Sequence, residues 1–239
     1  MKYVWVHGLG QTPDSWNKPI LLLGPQDAIC PNLAELIRGK EATYRNLYEA
    51  FSAVCDAADE SLCLCGLSLG GVLALNYAID RPEKVEALVL IGAQYKMPKH
   101  LLRFQNALFR FMPRSVFQQM GFGKAEFLKL CRTMMELDFS DSLKKVTCPS
   151  LVICGGKDNA NKAASIELAD RLVLAKLQIF DGVGHEVNIE APEKLAEVIG
   201  AFTFSANESS IKVLLNNGFV DKESFVEDGI ESKYFQKEL

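Results

Sequence analysis

The chain has 239 residues, 49% of them hydrophobic, enough to bury a substantial core in one domain. Its formal net charge of -4 comes from charges scattered along the whole length, and no basic stripe is present to neutralise a run of phosphates, so nucleic acid is not an expected partner. No apolar run approaches the ~18 residues of a membrane span.

The opening Met1-Lys2-Tyr3 leads directly into an apolar stretch at residues 3–6 that reads as a strand and not as a signal peptide. From there, short apolar runs ending in glycine-rich turns alternate with segments of helical period, the pattern of parallel strands joined by crossover helices. Strands are expected at residues 3–6, 27–30, 61–65, 85–91, 150–154 and 176–180, several of them apolar throughout, as strands covered on both faces are. Helices are expected at 44–57, 70–80, 161–174 and 192–202, the last with Pro192 near its start. The expected fold class is α/β: a mostly parallel central sheet of about six strands with helices on both faces.

Residues 94–145 break the rhythm. They hold no convincing strand but carry Leu101, Leu102, Phe104, Leu108, Phe109 and Phe111, so they read as a helical insertion. Most of these side chains are expected on the inner faces of two amphipathic helices, with a few turned toward a ligand. After Thr203 the composition becomes polar and charged, which reads as a tail; residues 211–215 followed by Asn216-Asn217-Gly218 suggest a short helix with a glycine stop. The expected organisation is a core of 1–93 and 146–204, an insertion at 94–145, and a charged, partly helical tail at 205–239.

The seven cysteines are an odd count, and Cys63, Cys65 and Cys154 lie inside apolar runs as small core residues, which fits a reducing, cytoplasmic setting. No second cysteine or histidine pair at ligand spacing accompanies Cys63-Leu64-Cys65, so no metal is expected.

The chemistry centres on Gly66-Leu67-Ser68-Leu69-Gly70-Gly71. A Gly-x-Ser-x-Gly pattern arises by chance in roughly one chain of this size in ten, but here an apolar strand leads in and a helical run leads out, the setting of a nucleophile elbow. In such a turn the serine takes a strained backbone conformation, and Gly66 and Gly70 must be small where backbones crowd. Gly71 lets the helix approach the sheet. The helix N-terminus supplies a partial positive charge and the Leu69 N–H for a developing oxyanion. The bland alternative is a glycine-rich turn with an idle serine. A phosphate loop would need a different glycine pattern, which is absent.

A serine hydroxyl needs a base, and the chain has three histidines. His7 opens His7-Gly8-Leu9-Gly10 after the first strand, where it reads as structural. His100, beside Lys99, reads as a solvated position of the insertion. His185, in Gly182-Val183-Gly184-His185-Glu186, follows the last strand and so reaches the carboxyl edge of the sheet, where open α/β sheets place their sites. It is the expected base. Asp158, after the strand at 150–154 and the turn Gly155-Gly156-Lys157, is the expected orienting acid, with a helix N-cap as its bland alternative. Asp181 is a rival acid nearer His185 in sequence.

Taken together, these segments resemble the α/β-hydrolase superfamily, and in particular its small esterase-like members with a helical cap, over roughly residues 1–202. The resemblance implies Ser68 as nucleophile, Asp158 as acid, His185 as base, backbone N–H groups of Leu9 and Leu69 as the oxyanion hole, and 94–145 as the cap. It implies a serine hydrolase, carboxylesterase-like, that cleaves a carboxylic ester of a small to medium, partly apolar substrate through an acyl-enzyme without a cofactor. Thioester, lactone and C–C hydrolysis are alternatives on the same fold, as is a non-catalytic ligand sensor. Two departures stand out: the chain begins at what would be the family's third strand, and it runs on past the final helix. Oligomeric state is left between monomer and homodimer.

Overall fold

A strand that is apolar on both sides is stable only between two layers of helices. The computed structural model, which describes residues 1–24, 27–99, 107, 109–119, 121–206, 219–227 and 230–237, has this arrangement. The strands are β1 (Lys2–Val6), β2 (Ala28–Ile29), β3 (Leu62–Leu67), β4 (Val85–Ile91), β5 (Ser150–Gly155) and β6 (Ala175–Phe180). They form one parallel sheet in the order β2-β1-β3-β4-β5-β6. Every residue of β3 and β5 is buried.

The period-two alternation of a strand divides the core in two. Leu62 and Leu64 of β3, with Val4, Val6, Leu88 and Leu90, face one cluster. That cluster is completed by α2 (Leu33–Leu36), α3 (Tyr44–Asp56) and α4 (Leu69–Asp80). Cys63, Cys65 and Leu67, with Trp5, Val89 and Ile91, face the other. There they meet the Trp16 turn, α1 (Asn17–Leu23), α8 (Val187–Glu190) and α9 (Pro192–Ala206). Cys63 and Cys65 are thus side by side on one buried face, and burial pushes both thiols well above their usual range. Local chemistry sets several helix starts. Thr43 Oγ1 accepts from the Asn46 N–H at 3.2 Å to open α3, and Asn32 accepts from Ala34 and Glu35 to open α2.

The insertion leaves and re-enters the body at one neck, where Met97 N–H donates to Leu137 O and Phe139 N–H to Tyr95 O. Its described part contains α5 (Arg114–Gln119), α6 (Lys124–Met134) and an aromatic cluster in which the Phe127 ring lies 5.2 Å from Phe109 and 5.0 Å from Phe117. These phenylalanines pack on one another, while Phe111 is 87% exposed. Leu101, Leu102, Phe104 and Leu108 lie outside the described residues.

The region expected to be a polar tail holds an antiparallel hairpin, β7 (Phe219–Glu227) and β8 (Ile230–Lys237), with β8 alongside α9. The helix expected at 211–215 lies outside the described residues. Among the described residues no helix is long and apolar enough to cross a membrane. β2 is shorter than expected, two residues paired only with β1 at the edge of the sheet.

Leu64→Ala, at the centre of the sheet and fully buried, is expected to cost about 2–5 kcal/mol. Phe111→Ala, on the surface, is expected to stay within about 0.5 kcal/mol of the parent. Urea denaturation midpoints of the two variants measure the difference.

Candidate active site

The site is built where four strands deliver their carboxyl ends. At the end of β3 the chain turns through Ser68, whose φ of 53° and ψ of -115° make it the one non-glycine residue with positive φ among those described. Such a conformation costs about 1–3 kcal/mol and persists only where the surroundings enforce it. The Ser68 N–H donates to Ile91 O at the end of β4 (2.8 Å), which pins the turn to the neighbouring strand. A Cβ on Gly66 would overlap the Gly70 carbonyl, and one on Gly70 would overlap the Val6 carbonyl, so only glycine permits this crossing. A Cβ on Gly71 would sit 2.7 Å from that of Ala93, the close approach of α4 to the sheet.

Asp158 follows β5 in a turn closed by its own N–H to Gly155 O (3.0 Å), and its side chain is 5% exposed. His185 follows β6. The two loops are fastened together by Gly156 N–H donating to Phe180 O and Lys157 N–H to Val183 O, and the His185 loop is braced within itself where Glu190 accepts from the Gly184 N–H at 2.7 Å. The result is a 2.6 Å bond between His185 Nδ1 and Asp158 Oδ2. Because the carboxylate can only accept, Nδ1 carries the proton, which leaves Nε2 as the acceptor. The bond to Asp158 raises the pKa of His185 above its ordinary 6.5 in spite of burial, and Glu186 and Glu190 add to the rise. Burial pushes Asp158 up, but donors from His185 and Asn161 outweigh it and hold the carboxyl below its usual range.

Ser68, Asp158 and His185 line one cavity of about 320 Å³. Leu69, Val72, Met97, Pro98 and Met134 supply its apolar wall, the last three from the insertion, and Gln94 and Asn161 add carboxamides. Ser68 Oγ and His185 Nε2 are bonded to no described residue. Hydrogen bonds of this kind tighten on substrate binding in many enzymes.

The loop after β1 passes beside the elbow, where a Cβ on Gly8 would stand 3.6 Å from that of Ser68. Leu9 follows there, and neither its N–H nor that of Leu69 donates to a described residue. His7 is buried, as its structural reading implied; Nδ1 bonds Gly8 O at 2.9 Å, Nε2 accepts from Leu33 N–H at 3.2 Å, and burial lowers its pKa. His100 lies outside the described residues. Asp181 is exposed and forms no bond with His185. The residue at the N-cap of α7 (Lys162–Arg171) is Asn161, so Asp158 does not cap that helix.

Several polar residues at the site were not singled out from sequence. Gln11 and Asn188 exchange two amide hydrogen bonds of 3.2 Å across 177 positions, Gln11 also bonds Glu186 (3.0 Å), and this ties the β1 loop to the His185 loop. No spacing signal connects residues so far apart. Asn161 had one available signal, its position three residues after Asp158 at a helix start.

A family model described as the alpha/beta hydrolase family matches residues 3–198. A methyl ester esterase of pimeloyl-acyl-carrier protein from Aromatoleum aromaticum is 27% identical over 82% of this chain and 95% of its own length. RutD of Rhizobium rhizogenes, provisionally named a carbamate hydrolase, is 27% identical over 60% of this chain and 67% of its own. The chain spans about half of the RutD of Klebsiella pneumoniae, 53%. The crystal structure of a carboxylesterase from the thaumarchaeon Nitrososphaera gargenis superposes with a TM-score of 0.77 at 17% identity, covering 87% of this chain and 91% of that one. With the family model matching most of its length and a six-stranded parallel sheet of the same design, the chain belongs to the α/β-hydrolase family.

Proposed function

We propose that the protein is a serine hydrolase that cleaves a carboxylic ester, or a related acyl compound, of a small to medium and partly apolar substrate. The observation that carries this reading is the strained backbone of Ser68 opening on the same cavity as the bonded pair His185–Asp158. A purely structural turn has no reason to keep a non-glycine residue in that conformation.

In the proposed mechanism Ser68 Oγ attacks the substrate carbonyl while His185 Nε2 takes its proton. The tetrahedral oxyanion is held by the N–H groups of Leu9 and Leu69, the latter at the positive end of α4. His185 then protonates the leaving alcohol, and water repeats the sequence on the acyl-enzyme. Asp158 holds the imidazole in the tautomer with Nε2 free and stabilises the imidazolium. The insertion acts as a cap, with Met97, Pro98 and Met134 forming the acyl wall. No cofactor enters these steps. Thioester, lactone and C–C substrates pass through the same oxyanion and are separated from esters by pocket shape. The free thiols of the core favour a cytoplasmic protein, acting as a monomer or homodimer.

Short-chain nitrophenyl esters and a fluorophosphonate probe test the reading. Ser68→Ala is expected to lose at least about 10³-fold in rate and all labelling; rates equal to wild type overturn the assignment. The pH profile gives a second check. Catalysis needs neutral His185, whose pKa is raised, so kcat/KM is expected to fall with acid through a midpoint above 6.5. Asp158→Asn removes the group responsible, moves that midpoint down, and lowers kcat by about 10⁴-fold.

A further inference from the structure

Asparagine at a helix N-cap ordinarily accepts from an N–H two or three residues on. Asn161 occupies that position on α7 and makes no such bond. Its side chain is turned to the site instead. Nδ2 lies 2.9 Å from both carboxylate oxygens of Asp158 and 3.2 Å from His185 Nδ1. Its Oδ1 accepts from Gln94 Nε2 at 2.8 Å, and Gln94, just beyond β4, also donates to Ala160 O at 3.3 Å. A chain of polar contacts thus runs from Gln94 through Asn161 and Asp158 to His185, across the ends of β4, β5 and β6.

We propose that Asn161, aimed by Gln94, is a positioning residue that fixes the rotation of the Asp158 carboxylate and shares its negative charge, so that the imidazolium of His185 is favoured less than beside an unshared carboxylate. The inference rests on reading His185 as the base. Two effects act in one direction. Donors on Asp158 withdraw charge from the oxygen that faces His185, and the positive end of the Asn161 amide lies against Nδ1.

The charges acting on His185 are all acidic: Asp158 from the β5 loop, and Glu186 and Glu190 from its own loop. Glu186 accepts from Gln11, and Glu190 from the Gly184 N–H. From the other elements around the cavity, the described residues facing it are Ser68, Leu69, Val72, Gly92, Gln94, Met97, Pro98, Met134 and Ala160, all uncharged. Lys157 and Lys162 flank Asp158 along the chain, and Asp181 is exposed. The Asn161 amide therefore acts as a neutral counterweight. It keeps the base deprotonated to lower pH than the acidic surroundings alone would allow, while Asp158 still orients the ring.

The test is an NMR titration of the His185 ring in the full chain, with its signal assigned by loss in His185→Gln, beside the pH profile of ester hydrolysis. Asn161→Leu is expected to move the His185 midpoint up by about half a unit or more. Asn161→Asp is expected to move it up further, because a second carboxylate joins the first, and Gln94→Leu to move it up less. The acid limb of kcat/KM should follow in the same order. A role confined to α7 leaves the midpoints of Asn161→Leu and Gln94→Leu at the wild-type value and overturns the proposal. Should Asn161→Leu fail to fold, Gln94→Leu carries the test. The titration needs no substrate. Midpoints that move while Ser68 resists the fluorophosphonate overturn the hydrolase reading alone; a labelled Ser68 with unmoved midpoints overturns this inference alone.

Discussion

The strain at Ser68 exists because α4 is pressed onto the sheet closer than any side chain allows. Gly70 stands against the Val6 carbonyl of β1, and Gly66 against Gly70 itself. The turn from β3 to α4 is made in one residue, Ser68, which takes positive φ. Burial of α4 supplies the compensation. Ten of its twelve residues are buried, so the helix cannot move away to relax the turn without exposing much of the core. The strained residue is placed by a densely buried helix, and its side chain lines the cavity shared with His185 and Asp158.

The His185–Asp158 pair depends on the same sheet. Parallel strands end at one edge, so loops after β3, β5 and β6 meet although they are far apart in sequence. That topology brings them near one another but does not set a 2.6 Å bond. The finer adjustment comes from backbone bonds between the β5 and β6 loops and from Glu190 on the Gly184 N–H. On the far side, the Gln11–Asn188 amide pair joins the His185 loop to the loop of Leu9. His185 and the β1 loop that carries Leu9 are therefore held by one polar network. Such networks rigidify a site when every member is bonded.

The sheet was legible because its strands are apolar runs of a length that suits strands and are closed by glycine turns; residues 85–91 read identically in sequence and structure. Short elements were not. α2 and α8 span four residues each, too few for a helical period to emerge. The hairpin β7–β8 was read as a tail because its composition is charged. Its signal was local: the Asp228-Gly229 pair, which suits tight hairpin turns.

At the site, Ser68 was readable from glycines within two positions of it, and His185 and Asp158 from their places after apolar strands. Those residues are constrained locally, by backbone crowding and by strand ends, so their neighbours in sequence announce them. Gln94, Gln11 and Asn188 carry no such mark. A carboxamide has no preferred spacing, and its partners come from strands and loops up to 177 positions away. The sequence by itself determined the sheet, the elbow and the candidate nucleophile, acid and base. The tertiary structure alone decided which amides hold those groups, because hydrogen bonds are chosen by distance in space and leave no period along the chain.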